Sequence, residues 1–226
     1  MKDLGKIILH IPAREGSKRV PRKNMRHMNG KPMISYVIEA SLNAKITDNI
    51  YVNTDSKEII SYVENNFSTL KAYERDENLA NDKASSDQFN LDIIEKLNPD
   101  TLIMINPVCP LITSEDIKNA LTKYKTSDCD TLITSETTQM QTFCDGEPVN
   151  IKLDEQLAPS QENGLITILN WAITIWEVGS FKKRMSEQGF AVLGGNREFF
   201  DIESIKAIKV SEEKDFLFAE QLLKLT

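Results

Sequence analysis

The feature that most constrains the fold is an alternation of short apolar runs with amphipathic stretches through the first half of the chain. Residues 6–11 (KIILHI), 50–54 (IYVNT), 101–105 (TLIMI) and 131–134 read as strands, the first and third as continuous apolar runs buried on both faces. Helical spacing separates them. Pro32 stands where a helix can start, and Met33, Ile34, Val37, Ile38 and Leu42 follow on one face. Ser56 is placed to cap a helix over 57–66, residues 87–97 are helical, and Ser114 or Thr113 caps another with Glu115 and Asp116 in its first turn. Strands alternating with helices predict an α/β fold: one doubly wound, Rossmann-like, mostly parallel sheet with helices on both faces. Ligands of such sheets bind beyond the carboxyl ends of the strands. Three polar loops leave strands at that edge, over 12–31, from Asp55 onward and over 106–113.

The rhythm stops over 139–164, a polar stretch expected to form a small protruding flap or a dimer contact. Residues 165–176 are apolar and β-branched, and are expected to return to the sheet. A late strand is expected over 205–210 and a closing helix over 212–225, with Phe216, Ala219, Leu222 and Leu223 on one face. Neither linker nor repeat divides the chain, so residues 1–226 are expected to form a single domain.

Charge then singles out one loop. The chain is acidic, at −7, yet Arg14, Lys18, Arg19, Arg22, Lys23 and Arg26 crowd together directly behind the first strand. An acidic chain is a poor general nucleic-acid binder, but it can carry a local anion site. Gly16 permits close approach of a ligand, Ser17 offers a hydroxyl, Arg14 can grip phosphate oxygens in pairs, and Lys18 or Lys23 can act as point charges. Neither the P-loop pattern nor the dinucleotide G-x-G-x-x-G turn is present. The competing reading is a solvated loop whose charges balance acidic neighbours. No apolar run approaches the ~20 residues of a membrane helix. The polar start at 1–5 leads straight into a strand, so no signal peptide is expected. Cys109, Cys129 and Cys144 lack metal-site spacing and form no even disulfide set, which points to a reducing cytoplasm.

The loop itself, IPAREGSKRVPRKN, resembles the N-terminal signature of CMP-sugar synthetases, the acylneuraminate cytidylyltransferases and their legionaminate, pseudaminate and Kdo relatives. Ala13, Arg14, Ser17, Lys18, Val20, Lys23 and Asn24 fit the signature. The resemblance continues in MNGKPMISYVIEASL, IYVNTDSKEI, RDENLANDKASSDQF and LIMINPVCPLIT, over about the first half of the chain. It implies the nucleotide-diphospho-sugar transferase version of the fold. It also implies transfer of CMP from CTP to a 2-keto sugar acid, with release of pyrophosphate, in a homodimer. Arg14 and Lys23 would act on the phosphates in catalysis. Ala13, Ser17, Lys18, Asn24, Arg75, Ser86 and Asn106 would join them in binding the nucleotide, and Asn170 would face the acceptor.

Three departures accompany the resemblance. The family's Q-P-T-S-P-L-R reads Asn106-Pro107-Val108-Cys109-Pro110-Leu111-Ile112 here. A small residue after Asn170 is replaced by Trp171. Two aspartates that hold Mg²⁺ in the family fall on Lys209 and Ser211, leaving only Asp215 of that motif. The metal set is therefore open, with Asp201 and Glu203 as the alternative pair. These departures keep two further readings in view: a nucleotide-binding homologue without this catalysis, and a cytidylyltransferase for a different acceptor.

Overall fold

A computed structural model describes residues 1–225. Seven strands make the central sheet: β1 (Ile7–Pro12), β2 (Ile50–Thr54), β3 (Lys71–Glu74), β4 (Thr101–Ile105), β5 (Thr131–Thr138), β6 (Ile166–Glu177) and β7 (Arg197–Asp201). Their spatial order is β7-β5-β6-β4-β1-β2-β3. All neighbouring pairs are parallel except those of β6, which runs antiparallel to both β4 and β5. The expected mostly parallel, doubly wound architecture is what the chain adopts.

Six helices cover the sheet: α1 (Met33–Ala44), α2 (Lys57–Asn66), α3 (Ser86–Leu97), α4 (Ser114–Thr126), α5 (Val178–Gln188) and α6 (Glu213–Leu222). Alternation along β1 sorts the two faces. Leu9 and Ile11 join Val37, Ile38, Val63, Ala120 and Tyr124 from α1, α2 and α4, whereas Ile8 joins Ile93, Ile94, Trp176 and Phe181 on the α3 and α5 side. Helix starts follow from local chemistry. Ser85 and Gln88 form a reciprocal capping box at α3, Thr113 and Asp116 do so at α4, and Glu212 and Asp215 at α6. Ser56 does precede α2, but its side chain makes no capping bond.

A third, smaller core joins the two ends of the chain. Val20, from the basic loop, packs with Met28, Met33, Val210, Phe216 and Ala219, all nearly or fully buried. Arg26 extends this junction with two bonds to Glu213, at 2.5 and 2.7 Å, and lies 4.1 Å from the Phe216 ring centroid. Burial of these apolar side chains holds the segment before α6 against a loop that precedes it by most of the chain.

One expected element is absent. Residues 205–210 are not a strand: Lys206 and Ala207 donate backbone N–H groups to the Glu203 carbonyl in a turn, and 208–210 join no strand of the sheet. Ala207 and Val210 are apolar because they plug cores, not because they enter the sheet. The late strand is instead β7, in register with β5. Residues 139–164 carry only a two-residue hairpin, Phe143–Cys144 with Glu147–Pro148, and a single 3₁₀ turn over Ser160–Glu162. Asn150 ties this stretch together through Thr142, Met140 and Gly164.

Candidate active site

A cleft of about 650 Å³ opens at the carboxyl ends of β1 and β4, where the basic loop, the start of α3 and the segment before α6 converge. Its charge is one-sided. Arg14, Lys18, Arg19, Lys23, Arg75 and Lys209 line it, and among the described residues no carboxylate does. The loop's cations are thus sorted by direction. Four face the cleft, while Arg22 turns away to pair with Glu58 and Arg26 with Glu213. Arg14 and Lys18 both reach the rim carboxylate of Asp82, Arg14 at 2.8 Å. Among the described residues, Arg19 and Lys209 have no carboxylate partner.

Crowded like charges leave a signature on Lys23. Its ammonium donates to the Val210 carbonyl at 2.8 Å. Burial lowers its pKa, and Arg19, Lys209 and Arg14 push in the same direction. Arg75 is more deeply held. It is buried, donates from Nε and Nη2 to Asn53 at 2.6 and 2.8 Å, and lies 4.6 Å from the Phe89 ring centroid. Burial lowers its pKa to about 10, with Arg14 opposing its charge as well. A buried guanidinium beside another cation favours an anion at their common face.

Asn24 marks the floor of the loop. Its Nδ2 donates to the Arg14 carbonyl at 3.2 Å, which fixes the amide's orientation and leaves Oδ1 buried without a partner. An orphaned acceptor calls for a ligand N–H or O–H, not a phosphate. Gly16 also lines the cleft, and a Cβ there would meet nothing within 4 Å. The protein itself does not use that room.

The rest of the lining is partly apolar. Phe89, Met104, Pro107, Val108, Trp171 and Val192 lie there. Trp171 arrives by an unusual route: β6 shifts register between Leu169 and Thr174, and Trp171 takes φ of 59°, in the left-handed region. The bulge is knitted from both sides. Thr134 Oγ1 donates to Asn170 Oδ1 at 2.7 Å and accepts from the Ile173 N–H at 2.9 Å, while the Ala172 N–H donates to Asn170 Oδ1 at 3.2 Å.

Of the residues expected from sequence, Arg14, Ser17, Lys18, Lys23, Asn24, Arg75, Ser86, Asn106, Lys209 and Ser211 all line the cleft. Ala13 lies beneath it, buried, its N–H donating to the Asn53 carbonyl at 2.9 Å. Asn170 serves the bulge, and its neighbour Trp171 lines the cleft. Asp201 and Glu203 stand elsewhere: Asp201 accepts from Ser135 at 2.6 Å, and Glu203 pairs with Lys206 at 3.4 Å. Cys109, beside Lys23 and Lys209, is fully buried, and burial pushes its thiol up to about 12. Phe89, Met104 and Val192 were not expected in the site. The first two carried a signal, since Phe89 lies one turn beyond Ser86 and Met104 shares a strand face with Asn106. Val192, in the connection after α5, carried none.

The family's divalent metal finds no donor set here. Lys209 and Ser211 occupy the cleft wall where two aspartates are expected, and Asp215 is spent accepting the Ser211 and Glu212 N–H groups at 2.9 and 2.8 Å. Among the described residues, no cluster of three His, Cys, Asp or Glu side chains is arranged to hold a metal ion.

Comparison with known proteins decides the family. Residues 8–170 match the cytidylyltransferase family model. The chain belongs to the cytidylyltransferase family. It is 40% identical over 119 residues to the pseudaminic acid cytidylyltransferase of Campylobacter jejuni, covering 50% of this chain and 51% of that protein. It is 27% identical over 231 residues to the post-translational flagellin modification protein B of Campylobacter coli, covering 98% and 96%. The matches to the first of these and to its nearest companions span about half the length of those relatives. Among solved structures, a CMP:2-keto-3-deoxy-manno-octonic acid synthetase complexed with CTP superimposes with a TM-score of 0.70 at 17% identity, over 97% of this chain and 99% of that one. At that identity the likeness is one of fold, and it extends over nearly the whole chain.

Proposed function

We propose that the protein transfers CMP from CTP to a 2-keto sugar acid of the sialic-acid type. The observation that carries this reading is the cleft itself, with six cations and, among the described residues, no lining carboxylate, at the carboxyl edge of the sheet of a cytidylyltransferase-family chain. The anomeric hydroxyl oxygen of the acceptor attacks the α-phosphorus of CTP. The bond from that phosphorus to the α–β bridging oxygen breaks, pyrophosphate leaves with the electron pair, and the hydroxyl proton passes to the medium. The barrier is largely electrostatic, because a polar nucleophile must approach a polyanion.

Arg14 and Lys23 take the catalytic role, neutralising charge that builds on the phosphates. Ser17, Lys18 and Asn24 hold the nucleotide along the loop, with Ala13 supporting the loop from beneath, and the orphaned Asn24 oxygen accepts from a hydroxyl or amino group of the nucleoside. Arg75, Ser86 and Asn106 complete the nucleotide site, with Asn170 presenting Trp171 to the acceptor. The same reading makes residues 1–226 one catalytic domain and 139–164 a flap. Met140, Phe143, Leu153 and Leu157 are exposed there and supply an apolar surface for a second copy in a homodimer. Three unpaired cysteines suit a cytoplasmic setting. No helix of the described residues is long and apolar enough to cross a membrane.

The test is pyrophosphate release from CTP with a panel of sialic, legionaminic, pseudaminic and Kdo-type sugar acids, with UTP as control. Release with at least one acceptor and CTP, but not UTP, is expected. CTP binding without release for any acceptor would overturn the transferase reading in favour of a binding homologue.

A further inference from the structure

The inference concerns what neutralises the triphosphate, and it rests on the nucleotide reading above. A divalent cation in such a cleft needs oxygen ligands, carboxylates above all. The wall before α6 offers an ammonium and a hydroxyl instead, at Lys209 and Ser211. A protonated lysine has no lone pair to donate, so Lys209 cannot be a ligand. The nearby acids are engaged elsewhere: Asp82 by Arg14 and Lys18, Asp215 by two backbone N–H groups. A dication would also enter a space already shared by Arg14, Lys18, Arg19, Lys23 and Lys209.

The same wall has the character of a built cation site. Lys209 is held at the cleft by its neighbour Val210, which is fully buried, packs against Val20 and donates its N–H to the Val108 carbonyl at 2.8 Å. The Val210 carbonyl in turn fixes Lys23. One residue thus sets the spacing of two ammonium groups from opposite ends of the chain. Neither Lys209 nor Arg19 has a carboxylate partner among the described residues, and burial together with Arg19 and Lys209 already disfavours the charge on Lys23. Facing cations without counter-charges are stabilised when a polyanion arrives.

We infer that Lys209, together with Lys23 and Arg19, is a resident substitute for the divalent metal, so that this cleft binds the triphosphate of CTP without Mg²⁺. Lys209 then serves as a phosphate-binding residue in its own right, at a position where its family carries a metal ligand.

Calorimetric titration of CTP into the intact protein, in excess EDTA and in millimolar Mg²⁺, tests this directly. The expected dissociation constants agree within about threefold, Lys209→Ala weakens binding about tenfold or more in EDTA, and Lys209→Arg restores most of the loss. The double variant Lys209→Asp/Ser211→Asp is expected to bind CTP in Mg²⁺ and poorly in EDTA. Pyrophosphate release that persists in EDTA would agree. Binding of CTP to the parent protein that tightens tenfold or more with Mg²⁺ would overturn the inference, as would Lys209→Ala with unchanged affinity in EDTA. Failure to bind CTP under either condition would overturn the nucleotide reading and this inference with it.

Discussion

Individual side chains in this protein are best understood by what they oppose. Arg14 and Lys18 are held by Asp82, a carboxylate that occupies cations a phosphate would need, and those two cations hold its own pKa below the usual range. Asp82→Asn should therefore tighten CTP binding in a titration, while Arg14→Ala should lower kcat/KM by about 100-fold or more, roughly 3 kcal/mol of transition-state stabilisation. Unchanged efficiency in Arg14→Ala would remove Arg14 from the site. Trp171 carries a different opposition, between its backbone and its side chain. A left-handed φ costs a non-glycine residue roughly 1–2 kcal/mol. Glycine relieves that strain and alanine does not, so Trp171→Gly should be more stable than Trp171→Ala by about 1 kcal/mol in denaturant unfolding. Equal stabilities would mean that the bulge relaxes when the indole is gone.

Elements differ in how plainly the chain announces them. β1, β2 and β4 are legible because each is apolar enough to survive burial between two helical layers. β3 (KAYE) escapes notice because it is short, polar and at a sheet edge. β7 (REFFD) is an edge as well, and its adjacent phenylalanines point to opposite faces, Phe200 toward the core and Phe199 41% exposed, so no alternating apolar face announces it. The site was legible along the basic loop, where residue type and position coincide. It was not legible at Val192, which reaches the cleft through a long connection rather than through any periodic pattern, whereas Trp171 was marked only by the resemblance, as a large residue after Asn170. The inner face of β1 carries a further consequence. His10 is fully buried, in register with Met104 of β4, and neither ring nitrogen makes a well-aligned hydrogen bond, the Asn90 amide being a neighbour only. Burial first and then Arg75 lower its pKa from 6.5 to about 3, against a smaller upward pull from Asn90. The unfolded chain thus takes up a proton near pH 6.5 that the folded one refuses until about pH 3. Stability from this group is complete above the first value and falls as the pH drops between them. From pH 6.5 to 4.5 the loss should be about 2 kcal/mol, the slope rising toward ~1.4 kcal/mol per unit below pH 6. Urea unfolding across that range should show the slope in the parent and a flatter one in His10→Gln.

For the molecule as a whole, the distribution of charge matters more than its sum. A chain of net −7 surrounds a cleft whose charged lining residues, among those described, are all cations, which turns away extended polyanions while drawing a small one inward. The cleft also depends on packing far from any ligand. Phe216 is buried in the junction that fastens the basic loop to α6. Phe216→Ala should cost about 3–5 kcal/mol of stability. Well below its melting temperature, the folded variant should still bind CTP more weakly than the parent, because the loop loses its anchor. Unchanged affinity in the folded variant would show that the loop holds its shape alone.

That junction also sets an order of events during synthesis. The loop bearing Arg14 and Lys23 emerges early, but the carbonyl that orients Lys23 belongs to Val210, 187 residues later. A ribosome must translate those 187 further residues before the Lys23 ammonium acquires its final position. Competence to hold a nucleotide is therefore acquired abruptly, once Val210 has folded back onto the loop, and a product truncated before Val210 would be born without it.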